Sequence, residues 1–350
     1  MNPAQSTPSS GTNPWLSILI PVYNVEAYLG ECMNSVLSQE LNGVEILLLD
    51  DASSDGSAQL MEALAAQSPH PLRLLRHERN RGLSAARNSL LEASQGAYLW
   101  FLDSDDLLMP GALAALAGQI RELQSPDLVL VDFRVLRERE RLKHRLRGEL
   151  HRRTFAGPPA QRLQDRGALL EGVFRQGLLH SWSKIAKREI WGSDLRFPEG
   201  RYFEDMYTTP ELLLRCRSYS HLPRVCVAYR QREGSILASM NTRKVQDMMG
   251  ALVGLPQRLR AAGVHHEGGE QALAQYAART FVTACRFAQR SRELSDKARS
   301  HLLRDYRADF ERSSPLAPQQ LLRACWRRGW FWRGLRLAHW LRQAGTHFTG

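Results

Sequence analysis

Asp103 and Asp105 stand one residue apart in the run Asp103-Ser104-Asp105-Asp106, directly behind the apolar stretch Tyr98 to Leu102. Such a stretch reads as a buried strand, and in an open α/β sheet ligands bind beyond the carboxyl ends of strands. Two carboxylates so spaced can turn oxygens toward a hard divalent ion such as Mg²⁺ or Mn²⁺ while leaving positions for phosphate oxygens and water. That arrangement would clamp a diphosphate. A competing reading makes the acidic run the cap of the next helix, which suits Asp106 in particular.

Asp50 and Asp51 close a second apolar run, Val44 to Leu49, and lead through Ala52, Ser53, Ser54, Asp55 and Gly56 toward a helix. The turn is suited to hydrogen-bonding the edge of a base or a ribose. A turn and N-cap account for Asp55 and Ser57, but not for two aspartates directly behind a buried strand. A third turn, Asn80 to Asn88, contains Gly82 and opens a helix that carries Arg87. An arginine there could reach a phosphate, helped by the helix N-terminus. It could equally be a surface arginine.

The elements that must hold these turns follow from periodicity. Trp15 to Tyr23, Val44 to Leu49, Leu72 to Arg76 and Ala97 to Leu102 read as strands, separated by helices over 26–39, 57–66 and 83–93. Helix over 111–123 and strand over 127–135 continue the alternation, which predicts a parallel sheet covered by helices on both faces. Residues 137–153, dense in Arg and Lys, are expected as an exposed hairpin or loop. Helix is expected again over 166–175 and 209–216, strand over 224–229, and only helix from Val245 onward. The organisation expected is a disordered segment over 1–14, a catalytic domain over 15–238 divided at residue 113, and a helical region over 239–350.

Lys and Arg outnumber Asp and Glu by 47 to 36, a formal net charge of +11 that favours polyanionic partners. The five scattered cysteines lack the paired spacing of zinc sites and suit a reducing cytosol. Residues 1–14 lack the basic start and apolar core of a signal peptide. No window approaches the eighteen or so apolar residues of a spanning helix. A cytoplasmic protein is expected, with any membrane contact peripheral.

Taken together, ILIPVYN, EILLLDDASSDGS and RNRGLSAARNSLLEASQGAYLWFLDSDDLLMPGAL resemble the family 2 glycosyltransferases in order and spacing. The match covers residues 15–113, with shorter matches reaching residue 237. The resemblance implies a GT-A fold, Rossmann-like and mostly parallel, and an inverting enzyme that moves a sugar from a nucleotide-sugar, usually a UDP-sugar, onto an acceptor hydroxyl. Lipid-linked or polysaccharide acceptors would be typical. Carried over by position, Pro21, Tyr23, Asn24 and Ser104 would line the donor pocket and Asp51 would bond the base. Arg81 and Arg87 would border ribose and phosphates. Asp103 and Asp105 would hold Mn²⁺ or Mg²⁺, Asp105 more directly.

Inversion requires a base that takes the acceptor's proton as its oxygen attacks opposite the leaving diphosphate. The segment Phe197 to Asp205 resembles the family's E-D motif, which makes Asp205 the base and gives Glu204 a positioning role. Their alternative is the opening turn of a helix. Trp182 and Lys184 resemble a W-x-K stretch that would meet sugar and phosphate, or they are a buried Trp and a surface Lys. Arg230 and Arg232 would close over the diphosphate, or form an exposed basic turn. Residues 321–342 interleave four Trp and one Phe with six Arg, the make-up of a segment for an anionic membrane surface or of a packed helical pair.

Three rival readings stand beside this one. A nucleic-acid-binding protein suits the charge, but no such module is present and the acidic turns would repel a phosphate backbone. A nucleotidyltransferase would carry a glycine-rich basic loop where this chain has PVYNVEAYL. A catalytically inactive nucleotide-binding subunit is opposed by the intact acidic motifs.

Overall fold

In the computed structural model, residues 13–137, 142–231 and 240–345 are described. The expected disorder over 1–14, the boundary at 238–239 and Arg232 fall wholly or mostly outside them. Eight strands form one sheet: β1 Leu16–Val22, β2 Val44–Asp50, β3 Leu72–Arg76, β4 Tyr98–Phe101, β5 Leu107–Leu108, β6 Leu128–Leu136, β7 Lys184–Lys187 and β8 Tyr219–Arg230, in the order β3-β2-β1-β4-β7-β6-β8-β5. The helices between them are α1 Glu26–Leu37, α2 Ser57–Gln67, α3 Leu83–Ala93, α4 Ala112–Glu122, α5 Leu142–Leu146, α6 Arg166–Gln176, α7 Arg188–Trp191 and α8 Glu204–Arg215. Six more follow: α9 Thr242–Gly250, α10 Leu255–Ala261, α11 Glu267–Arg290, α12 Asp296–Ser313, α13 Pro318–Arg327 and α14 Phe331–Gln343.

The first four strands are parallel, with Val22 opposite Asp50 and Asp50 opposite Arg76. This register brings the ends of β1, β2 and β4 to one rim, so the segments beginning at Tyr23, Asp51 and Leu102 leave the sheet side by side. Alternate residues point to opposite faces of a strand. Leu19, Leu47, Leu99 and Phe101 enter one apolar core, and Ile18, Ile20, Ile46 and Trp100 the other. Both faces are therefore covered.

The second half of the sheet is mixed. β7 lies antiparallel to both β4 and β6, β6 is parallel to β8, and β5 is antiparallel to β8. The expected N-cap role of Asp106 is not realised, because β5 intervenes and α4 starts only at Ala112. The described part of the basic stretch is tied back to β6, as a hairpin would be. Arg152 bridges Phe133, Arg137 pairs with Glu149 at 2.7 Å, and His151 donates to Asp132 at 2.8 Å.

The C-terminal helices build a third core from Val245, Phe281, Phe310, Leu321 and Trp340, among others. α11 lies along α6, and Arg201 reaches Asp247 at 2.8 Å, so this region is keyed to the sheet domain. Gly329, at φ +69°, makes the turn between α13 and α14. The aromatic tail divides between both expected readings: Trp340 packs inward, while Trp326, Phe331 and Trp332 are exposed.

Candidate active site

Each rim turn is fixed by its own side chains. Asn24, at φ 50°, accepts a hydrogen bond from Ser54 N on its Oδ1, and its own N–H donates to Ser53 Oγ. It stitches the end of β1 to the loop after β2. Asp55 and Ser57 do the same one residue later, accepting from Glu26 N and Val25 N. Asp51 is 2% exposed and takes three bonds, from His77 Nδ1 (2.6 Å), Arg81 N (2.9 Å) and Gly82 N (2.7 Å). Gly82 sits at φ +87°, a conformation that a side chain would strain. The carboxylate of Asp51 thus shapes the turn that opens α3.

These turns surround a cavity of about 540 Å³, within the usual range of small-ligand sites. The structure brings Pro21, Tyr23, Asp51, Ser104, Asp103, Asp105 and Arg230 to its wall. Asn24 holds the loop behind it, and Arg81 lines a smaller adjoining cavity together with Glu204. Tyr202 and Tyr229 also line the main cavity. Sequence reasoning passed over both as individual residues, although each lies inside a segment it had marked.

Arg87 corrects an expectation. It does not border ribose or phosphate: it is 1% exposed and lies beneath the cavity. Its Nη1 donates to Glu204 Oε1 (2.7 Å) and Asp205 Oδ1 (3.1 Å), and its Nη2 to Asp103 Oδ1 (2.8 Å). Burial opposes its charge, but the three carboxylates, Asp205 foremost, hold the guanidinium's pKa above its ordinary value. One buried cation therefore ties the strand-end aspartate to the acidic pair that opens α8.

That pair is asymmetric. Burial pushes the Glu204 carboxyl up to about 7 against the pull of Arg87. Asp205 is the more exposed of the two and receives both Arg87 and Ser181 Oγ on Oδ1 alone. Its Oδ2 is left for another partner.

Asp106 is buried, accepts Arg230 N on Oδ1 (2.8 Å) and among the described residues has no partner for Oδ2. Burial first, then Asp103 and Asp105, raise its carboxyl well above the usual range. Arg230 also donates to the Asp105 carbonyl (2.8 Å) and to Glu31, and it lies over the Tyr28 ring. It is latched to the acidic loop rather than standing in an exposed basic turn.

Trp182 and Lys184 are corrections as well. Trp182 is 2% exposed and packs against both His180 (4.6 Å) and Tyr229 (5.6 Å), so it backs a cavity-lining ring and presents no face to a sugar. Lys184 is turned inward by β7, donating to Leu178 O and Ser183 Oγ, and desolvation lowers its pKa to about 7 although Asp205 pulls it upward. No phosphate can reach it.

Among the described residues no group of three or more His, Cys, Asp or Glu side chains is arranged to hold a metal unaided. A hard cation held by only one or two carboxylates, with phosphates and water completing its shell, suits such a site. Asp103 and Asp105 offer that donor set on the cavity wall.

Residues 17–173 match the family model described as Glycosyl transferase family 2. Glycosyltransferase GlyA of Streptococcus pneumoniae serotype 4 is 28% identical over 227 residues, which are 63% of this chain and 31% of GlyA. Glycosyltransferase GlyG of the same organism is 26% identical over 233 residues, 63% of this chain and 72% of GlyG. The chain thus spans less than a third of one relative and under three quarters of the other. Among solved structures, residues 1–349 of S. aureus TarS in complex with UDP-GlcNAc superimpose with a TM-score of 0.69 at 21% identity, covering 95% of this chain and 93% of that one. That likeness establishes the GT-A fold, with its mixed eight-stranded sheet and helical C-terminal region. The family match covers residues 17–173, a little under half of the chain.

Proposed function

We propose that the protein transfers a sugar from a UDP-sugar to an acceptor hydroxyl with inversion at the anomeric carbon. One observation carries the reading: Asp103 on the donor cavity and Asp205 beside it are bound to the same buried Arg87. A diphosphate site and a proton acceptor are thereby held in fixed relation. The fold neighbour complexed with UDP-GlcNAc supports a uridine nucleotide as the donor's leaving group.

In this mechanism Pro21, Tyr23 and Asp51 wall the nucleotide end of the cavity and Arg230 its diphosphate end. Asp105, helped by Asp103, would hold Mn²⁺ or Mg²⁺. When bound, that ion neutralises charge developing on the leaving diphosphate. The acceptor oxygen attacks the anomeric carbon as the bond to the diphosphate oxygen breaks, and its proton passes to Asp205 Oδ2. Arg87 and Ser181 keep Oδ1 occupied, which orients the reactive oxygen. Glu204 accepts from the same Nη1 of Arg87 and lines the adjoining cavity, where the acceptor would enter.

A panel of nucleotide sugars tests the reading through donor hydrolysis. A UDP-sugar should be turned over with Mn²⁺ present, and chelator or Asp105→Ala should abolish both turnover and tight UDP binding. UDP binding without turnover of any donor would favour an inactive binding subunit, and UDP affinity unchanged by chelator would remove the metal from the account.

The acceptor we infer is a lipid-linked or polysaccharide glycan met at the cytoplasmic membrane face. Trp326 and Trp332, 44% and 77% exposed, stand among arginines on α13 and α14, and no helix among the described residues is long and apolar enough to span a bilayer. Interfacial Trp with Arg suits peripheral attachment. Trp326→Ser with Trp332→Ser should abolish sedimentation with anionic vesicles while leaving donor hydrolysis intact. Unchanged sedimentation would show that these rings do not attach the protein.

A further inference from the structure

A second cavity, of about 340 Å³, lies between α6, α11 and the turn joining α13 to α14. Its charge is one-sided. Arg279, Arg328 and Arg333 line it, and among the described residues none of the three has a carboxylate partner. Arg328 and Arg333 both lie over the Trp330 ring, 5.4 and 4.9 Å from its centroid, and Arg279 lies over Tyr276 while donating to Phe174 O. The aromatic contacts hold like charges close to one another. Desolvation, and after it the charge of Arg333, lowers the Arg279 pKa although Tyr276 opposes the shift. The carboxylate on the wall, Glu171, is already engaged by Arg175 at 3.2 Å and His266 at 3.7 Å.

A second observation is independent of charge. Gln271 lines the same cavity, is 8% exposed, and among the described residues its Nε2 has no hydrogen-bond partner. A buried amide donor left without an acceptor is costly, and native structures hold few of them. That nitrogen is closed to solvent as it stands, and a turn of the amide toward the cavity would let a ligand oxygen satisfy it.

We propose that this cavity binds a phosphate group, its oxygens taken by the guanidiniums of Arg279, Arg328 and Arg333 and by Gln271 Nε2. Arginine forks match phosphate geometry. The site does not depend on the transfer reaction and shares no wall residue with the donor cavity. The phosphate could belong to a soluble ester or to a lipid headgroup.

Calorimetry of the full chain with inorganic phosphate, in chelator so that the donor site is silent, tests the proposal. Saturable binding is expected, weakened about tenfold in Gln271→Leu and about a hundredfold in the Arg328→Ala, Arg333→Ala double variant, the scale of hydrogen bonds to charged groups. Gln271→Leu changes no charge, so its loss separates a built site from diffuse attraction. UDP affinity with Mn²⁺ should be unchanged in every variant, which verifies folding. Phosphatidylglycerol vesicles form the second arm: binding weakened by Gln271→Leu assigns the site to a headgroup, whereas vesicle binding unmoved beside a weakened phosphate isotherm assigns it to a soluble ester. If neither probe binds saturably, or neither responds to the variants, the cavity is not a phosphate site.

Discussion

Two groups of acidic residues meet at the rim of the sheet, and they differ in what satisfies them. Behind β2, Asp50, Asp51 and Asp55 are consumed locally, by Ser53 N, by Arg81 N and Gly82 N, and by Glu26 N and Ser57 N. Behind β4 and at the start of α8, Asp103, Glu204 and Asp205 share a single side chain, Arg87. Backbone donors convert the first group into loop shape, and hydrogen bonds and Arg76 hold Asp50 below the usual carboxylate range despite its partial desolvation. The second group keeps its charge concentrated on one cation. Acidic residues of the first kind act through the shape of their own turns, whereas those sharing a buried cation act as one unit.

The largest break in that comparison comes from Arg87→Met. Removing one partner of a buried ionic cluster leaves uncompensated charge and costs about 3–5 kcal/mol. A large loss of thermal stability is expected together with loss of transfer. Arg87→Lys sharpens the result, since an ammonium keeps the charge but cannot fork to three carboxylates. It should recover much of the stability and little of the activity. Equal activity in Arg87→Lys and wild type would show that the shared cation is structural only.

A smaller effect is expected beneath the second group, at Lys184. Its folded pKa of about 7 lies below the ordinary 10.5, so between these values the unfolded chain binds a proton that the folded chain lacks. Stability from this group is complete above pH 10.5 and is lost as pH falls toward 7. Relative to Lys184→Met, wild type should gain at most about 1.4 kcal/mol per pH unit as pH rises through this window, by urea unfolding. A difference that does not change with pH would mean the ammonium stays charged in the fold.

The parallel half of the sheet was legible because each strand is an apolar run closed by an aspartate or a turn. Asp51, Asp103 and Asp105 on the cavity wall followed from it, while Pro21 and Tyr23 came from the family resemblance. The second half was not. β7 reads Lys-Ile-Ala-Lys, with two apolar residues between charges, and near the start of β8 stand Ser220 and His221, polar yet fully buried. Strand pairing outweighs local pattern there, and it carried Lys184 inward where a surface lysine was the alternative expected, while Trp182 beside it is the buried Trp of that alternative. The role of Arg87 was hidden for a different reason: its partners on α8 lie 117 and 118 residues away in sequence. An arginine on a helix reveals its partners only when the second half of the chain folds back over the first.

The central claim is that Asp205 takes the acceptor's proton while the donor is held elsewhere. Asp205→Asn preserves size and the hydrogen bonds that Arg87 and Ser181 direct to Oδ1, but its nitrogen cannot accept a proton in place of Oδ2. Side-by-side measurement of UDP affinity with Mn²⁺ and of sugar transfer should show affinity within a few-fold of wild type and transfer reduced by about 10²–10⁴-fold, the range for lost general-base help. Near-normal transfer, or a fall in UDP affinity that matches the fall in rate, would contradict the assignment.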